Sequence, residues 1–252
     1  MKALIFAAGM GTRLRPLTDR MPKALVPVAG VPLLQRVLLK LKDAGFDEMV
    51  INIHHLGQQI IDFLQANGNF GMNIHISDER ALLLDTGGGI LHARPFLDGD
   101  EPFLVHNADI LTDADLGALI DAHRSNGAEA TLLVGQRPTS RYLLFDDSLR
   151  LHGWTNKKTG EIRPAGLTGT YQEWAFAGIH LLAPSIFQYM DEAQWQGRPF
   201  SIIDFYLHIC PHVQVSGCPI RATHWFDTGT PDTLSRAAAW YQQELDAAKE
   251  EF

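Results

Sequence analysis

The chain has 252 residues, 46% of them hydrophobic and 20% charged, and carries a net charge of −8. This excludes a disordered or collagen-like chain. It also argues against a general nucleic-acid binder, which needs excess Lys and Arg to hold a phosphate backbone. The two cysteines, Cys210 and Cys218, have no His or Cys partners at zinc spacing, so the expectation is reduced thiols in a cytoplasmic protein. No stretch approaches the roughly 18 consecutive apolar residues that a bilayer span requires, so no membrane partner is expected.

In chain order, Lys2–Ala8 reads as a short apolar strand. Pro32–Ala44 reads as a helix with Leu33, Leu34, Val37, Leu38 and Leu41 on one face and Gly45 after it. Glu48–Ile53 is the next strand, Gly57–Ala66 a helix burying Ile60, Ile61 and Leu64, and Met72–Ser77 a third strand. This alternation indicates βαβ units and a parallel sheet. A short helix over Gly87–Ala93 and a buried strand over Pro102–His106 follow. A helix capped by Thr112 or Asp113 then runs to Ser125, and Glu129–Gln136 is another strand. From there the pattern becomes α+β: a hairpin over Arg141–Trp154, a polar loop over Thr155–Thr170 and a strand over Glu173–Leu182. Helices are expected at Pro184–Met190 and Ser201–Ile209, a strand at Pro219–Trp225, and a terminal helix opened by Pro231 and running to about Ala247. With no repeat or linker, one domain over 1–252 is expected.

The first strand enters Ala7-Ala8-Gly9-Met10-Gly11-Thr12-Arg13, a glycine-rich turn whose backbone N–H groups are open to a phosphate or a base. Leu14 stands where a dinucleotide fingerprint needs glycine, and no Gly-Lys-Ser/Thr follows any glycine loop. Residues 1–23 contain Lys2, Arg13, Arg15, Arg20 and Lys23 against Asp19 alone, a local +4 on an acidic chain. Charge alone leaves two readings open, an anion site and a solvated basic loop.

The run Gly9-Met10-Gly11-Thr12-Arg13-Leu14-Arg15-Pro16-Leu17-Thr18, followed by Pro22-Lys23-Ala24-Leu25-Val26-Pro27-Val28, resembles the signature of sugar-1-phosphate nucleotidyltransferases. The resemblance continues through Asn52–Ile60, Thr86-Gly87-Gly88-Gly89, Asn107-Ala108-Asp109, Gly178-Ile179 and His224–Thr230, nearly the whole chain. It implies a Rossmann-like three-layer α/β/α sandwich with a mostly parallel central sheet. Residues 1–136 would then form a nucleotide-binding half, 137–230 a sugar-phosphate half and 231–252 a terminal helix. The implied substrates are a nucleoside triphosphate and a sugar 1-phosphate, with Mg²⁺ as cofactor, in a monomer or small homo-oligomer. The LGQQI, TGGG and HWxDxGT elements together are most similar to members that pair UTP with N-acetylmuramate 1-phosphate. GTP with mannose or heptose 1-phosphate is the alternative.

Physical chemistry makes the same residue types useful, because nucleotidyl transfer needs cations on a triphosphate, carboxylates for a metal and a backbone cradle. Arg13 can fork onto phosphate oxygens and Lys23 can supply a mobile point charge. The resemblance makes both catalytic, together with Asp109, and makes Asp109 and Asp227 the metal ligands. It assigns nucleotide contacts to Ala7, Ala8, Gly9, Gly11, Thr12, Arg13, Thr86 and Gly87. The amides of Thr86–Gly89 and the Thr86 hydroxyl would pair the edge of a pyrimidine. Asn156, Gly178 and Trp174 are candidates for the sugar, beside Trp154, Phe176 and Phe200; core packing suits each aromatic equally well. Asp113 and Asp115 read as helix caps rather than metal ligands, and His54-His55 as structural, since adjacent strand residues face opposite ways. A non-catalytic nucleotide-sugar-binding protein and a glycosyltransferase are the readings of another class.

Overall fold

A computed structural model describes residues 1–192 and 195–250. Its strands are β1 (Lys2–Phe6), β2 (Pro27–Val28), β3 (Val31–Pro32), β4 (Glu48–Ile53), β5 (Asn73–Asp78), β6 (Phe103–Asn107) and β7 (Ile110–Thr112). They continue with β8 (Ala130–Gly135), β9 (Arg141–Phe145), β10 (Leu151–Asn156), β11 (Glu161–Arg163), β12 (Gln172–Leu182), β13 (Val215–Pro219) and β14 (Trp225–Asp227). The helices are α1 (Leu33–Asp43), α2 (Gly57–Ala66), α3 (Asp85–His92), α4 (Arg94–Leu97), α5 (Leu116–Asn126), α6 (Ile186–Glu192), α7 (Ile202–Ile209) and α8 (Pro231–Glu250). The architecture is α/β, with helices flanking a mixed central sheet. No helix among the described residues is long and apolar enough to cross a membrane.

The chain divides into two compact units. One contains Met1–Leu4, Leu84–His106 and Asp115–Arg221; the other contains Ile5–Leu83, Asn107–Ala114 and Ala222–Phe252. They interleave along the sequence, unlike the consecutive halves expected to meet after residue 136.

The second unit holds the βαβ chemistry read from the sequence. α1 buries Leu33, Leu34, Val37, Leu38 and Leu41, the face its periodicity predicts. Each such side chain contributes about 1.5–3 kcal/mol on leaving water. β4 pairs in parallel with β5, which the crossover through α2 permits. α2 buries Ile60 and Leu64, with Ile61 half-buried. Two short pairings lie outside the expected elements. β2 and β3 form an antiparallel hairpin, and β14 pairs antiparallel with β7, setting Asp227 opposite Ile110.

In the first unit β12 is the organising strand. It pairs antiparallel with β6, β8 and β9, while β13 pairs in parallel with β8. The predicted hairpin is β9–β10, and the polar loop after it carries β11, which pairs with β10. Of the strand expected at Pro219–Trp225, Pro219 closes β13 and Trp225 opens β14, and residues 220–224 form the interval between them. The cap of α5 is Asp115, whose Oδ1 accepts from the amides of Gly117 (2.8 Å) and Ala118 (3.2 Å). Neither Thr112 nor Asp113 caps it.

Two buried histidines of this unit make stability pH-dependent. Burial pushes His180 down to about 3, with His106 beside it adding to the effect, and pushes His123 down to about 4. Both are neutral in the folded chain, whereas the unfolded chain takes up a proton on each below about 6.5. Stability therefore falls as pH drops from about 6.5, by up to about 1.4 kcal/mol per pH unit for each histidine until its folded pKa is reached. Urea midpoints measured between pH 6.5 and 5, a window above most carboxylate titration, should fall steadily. A flat profile there would contradict the assignment.

Candidate active site

The second unit brings together four side chains separated widely in sequence. Lys23 forms an ion pair with the Asp109 carboxylate, and both are largely shielded, with side chains 12% and 24% exposed. Arg13 lies 3.9 Å from Asp227, and this pair is open to solvent at 61% and 42%. An exposed pair contributes little to stability, so its geometry leaves the guanidinium available to an anion.

The two aspartates meet through backbone pairing. Asp109 directly precedes β7 and Asp227 ends β14. Thr228 donates to the Asp109 carbonyl through both its amide (2.9 Å) and its hydroxyl (2.8 Å). At the far end of the ladder the Thr112 hydroxyl donates to the His224 carbonyl (2.7 Å), and the Asp113 carboxylate accepts from the His224 amide (3.0 Å). His224 stacks on Trp240 of α8 with ring centroids 4.7 Å apart. Asp113 thus secures β14 rather than capping a helix.

The glycine-rich turn is shaped by close approach. Gly11 has φ +61°, and a Cβ there would come within 2.7 Å of Thr18 Cγ2 and 3.1 Å of Lys23 Cβ. The Thr18 hydroxyl donates to the Gly11 carbonyl (2.8 Å), and buried Leu14 anchors the turn. Gly229 is equally constrained: its Cβ would lie 2.8 Å from Arg13 Cζ and 2.8 Å from Asp227 Oδ1. Gly9 has open space where a Cβ would sit, and Thr12 is exposed.

Other residues named from the sequence are engaged differently. The amides of Ala7 (2.7 Å) and Ala8 (3.1 Å) donate to Asn52 Oδ1, so these two N–H groups anchor the turn instead of facing a ligand. Arg15 pairs with Asp19 at 3.2 Å on the surface. Thr86, Gly87, Asn156, Trp174 and Gly178 belong to the first unit. There the Thr86 amide donates to Asp85 Oδ1 (2.6 Å) and its hydroxyl accepts from the Ile202 amide (2.9 Å). The Gly87 amide donates to the Phe200 carbonyl (2.9 Å), and a Cβ on Gly87 would collide with the Phe200 ring. The polar groups expected to read a base edge thus hold α3 to the segment leading into α7. Asn156 Oδ1 accepts from the Lys158 amide (3.0 Å), and Trp174 Nε1 donates to Gln172 (3.2 Å). Gly178 has φ +78° where the β12–β8 register shifts. Trp154 and Phe200 are buried, as core packing requires, while Trp174 and Phe176 are half-buried.

Asn52, Glu79, Thr228 and Gly229 complete the site's framework without having been given a role from the sequence. Asn52 leaves a signal as a polar residue inside the apolar strand Glu48–Ile53, and Thr228 and Gly229 lie within the run His224–Thr230, whereas Glu79 leaves none. No group of three or more His, Cys, Asp or Glu that could hold a metal occurs among the described residues. Asp109 and Asp227 nevertheless offer hard oxygen donors of the kind magnesium takes when substrate oxygens and water complete its shell.

The nucleotidyl transferase family profile matches residues 2–244. The chain belongs to this family. It is 54% identical over 118 residues to the N-acetylmuramate alpha-1-phosphate uridylyltransferase of Neisseria meningitidis serogroup B, a match covering 47% of this chain and 51% of that protein. The chain thus spans about half the length of this relative. Its Caulobacter vibrioides counterpart is 32% identical over 250 residues, covering 94% and 95% of the two chains. Mannose-1-phosphate guanylyltransferase 1 of Arabidopsis thaliana is 37% identical over 237 residues, 92% of this chain and 62% of that one. Among solved structures, UDP-glucose pyrophosphorylase complexed with UDP-glucose has the same fold, with a TM-score of 0.78 at 18% identity over 96% and 98% of the chains. Within the family the chain groups with sugar-1-phosphate nucleotidyltransferases, as the resemblance implied.

Proposed function

We propose that the chain transfers a uridylyl group from UTP to N-acetylmuramate 1-phosphate, releasing pyrophosphate. The observation that carries this reading is the end-to-end match to one uridylyltransferase of that name, joined to the 54% identity with another across 47% of the chain. The guanylyltransferase match has higher identity than the full-length one but covers less of its relative, so mannose 1-phosphate with GTP is the second reading.

In the reaction a phosphate oxygen of the sugar 1-phosphate attacks the α-phosphorus in line. The bond from that phosphorus to the bridging oxygen breaks, and pyrophosphate leaves with the electron pair. No protein nucleophile is required. A phosphomonoester, with a second pKa of about 6, is already mostly dianionic at neutral pH, so no general base is needed either. The protein's task is positioning and charge neutralisation. Arg13, open to solvent beside Asp227, forks onto triphosphate oxygens. Lys23, shielded and next to Asp109, places a positive charge where the α-phosphate becomes more negative. Asp109 and Asp227 would hold Mg²⁺, which neutralises phosphate charge when bound.

Crossing UTP, GTP, CTP and dTTP with N-acetylmuramate, mannose, heptose and glucose 1-phosphates, and measuring pyrophosphate release, tests the assignment. UTP with N-acetylmuramate 1-phosphate should have the highest kcat/KM. Its lead over the other bases should be at least about fivefold, since an unpaired polar edge costs about 1–3 kcal/mol. Faster turnover of GTP with mannose 1-phosphate would overturn the substrate while leaving the reaction class. No release from any pair would favour a non-catalytic binding protein.

A further inference from the structure

Asn52 sits in β4 and Glu79 directly after β5, and each is only 2% exposed. Asn52 Oδ1 accepts from two consecutive amides, those of Ala7 and Ala8, where β1 turns into Gly9-Met10-Gly11. Its Nδ2 donates to Glu79 Oε1 at 2.8 Å. Glu79 is itself fixed by its backbone. Its amide donates to the Ile53 carbonyl (2.9 Å), and its carbonyl accepts from His54 Nδ1 (2.8 Å).

This arrangement has a direction. An amide side chain can present either oxygen or nitrogen, and only oxygen satisfies two N–H donors. Glu79 decides the matter, because its Oε1 takes the Asn52 nitrogen as donor and so turns the amide oxygen toward the turn. Reversing Asn52 would set its NH₂ against the Ala7 and Ala8 amides and leave buried donors unpaired, about 1–3 kcal/mol for each.

We infer that Asn52 and Glu79 form a positioning pair for the nucleotide loop: Glu79 orients Asn52, and Asn52 fixes the start of the turn that carries Arg13 and leads to Lys23. Neither residue touches substrate. The inference rests on reading this loop as the triphosphate cradle, so the test includes Arg13→Ala as a reference.

The test compares Asn52→Asp, Glu79→Gln and the double variant in full-length protein. Pyrophosphate release is measured with UTP and GTP, each against N-acetylmuramate and mannose 1-phosphates, and kcat is read on the best pair. Asn52→Asp sets two carboxylates against each other. Glu79→Gln, which adds no like charge, removes the group that fixes the amide's direction. Each single change should lower kcat by about 10- to 100-fold, the loss that a displacement of roughly 1 Å can cause, with KM for the sugar phosphate unchanged. The double variant exchanges the two roles: a carboxylate at position 52 faces the amides and an amide at position 79 donates to it. It should recover kcat to within about threefold of the parent, the signature of residues acting as a unit. Hydrogen exchange at Ala7 and Ala8 should quicken in Glu79→Gln without loss of cooperative unfolding, which keeps the test decisive if Asn52→Asp does not fold. Parental kcat and unchanged exchange in Glu79→Gln, or a double variant no better than the worse single, would overturn the inference. Retained activity in Arg13→Ala would instead overturn the reading of the loop.

Discussion

Asp109→Asn should lower kcat by about two orders of magnitude or more, the scale seen when a group that stabilises transferred charge is lost. The carboxylate has two tasks in this structure. It is the partner of the shielded Lys23 ammonium, and it is one of two strand-end oxygen donors linked by the β7–β14 ladder. Asparagine keeps the volume but removes the charge, so Lys23 loses its counter-ion, and the proposed divalent site would lose one of its two carboxylates. Asp227→Asn removes the other donor, yet its partner Arg13 is exposed and does not need it for stability. The two variants should therefore part company in melting temperature, with Asp109→Asn lowered and Asp227→Asn close to the parent, while both lose turnover. Pyrophosphate release with and without EDTA is the direct measurement. Undiminished turnover in EDTA would remove the metal from the mechanism, and parental kcat in either variant would remove that aspartate.

Much of the second unit was legible because its signals are local. α1 and α2 show helical spacing of Leu and Ile, β4 is a run of apolar residues, and β4 and α2 have the predicted boundaries. Of the four charged residues of the candidate site, Arg13 stands out in a glycine turn and Asp109 and Asp227 after strands, whereas Lys23 is singled out by the family resemblance. What was not legible depends on partners remote in sequence. β7 has three residues, and its strand character comes from β14, after which Thr228 reaches Asp109 across 119 positions. No periodicity spans that distance. The same reason explains Thr86 and Gly87. From sequence they resemble an open glycine loop, but Phe200 and Ile202 occupy their polar groups and the space above Gly87. At Ala7 and Ala8 the sequence shows a turn of small residues, but the side chain that consumes their amides lies on another strand.

Arg13→Lys should lower kcat by about 10²-fold while changing KM for the nucleotide much less, because it keeps the charge and loses the planar fork. The structure supplies an independent way to reach the same guanidinium. The Cβ introduced by Gly229→Ala would meet Arg13 Cζ and Asp227 Oδ1, each at 2.8 Å, so something must move. Arg13 is the end of a flexible side chain, 61% exposed, and it yields more readily than backbone. Gly229→Ala should therefore fold with near-parental stability and lose kcat through the displaced guanidinium. If both changes act through one group, the Arg13→Lys/Gly229→Ala double variant should be little worse than the poorer single. Multiplicative losses would mean that Gly229 acts on Asp227 rather than on Arg13. A rise in KM alone for Arg13→Lys would mean that the arginine docks the triphosphate equally in ground and transition states, leaving Lys23 and the two aspartates to account for the rate.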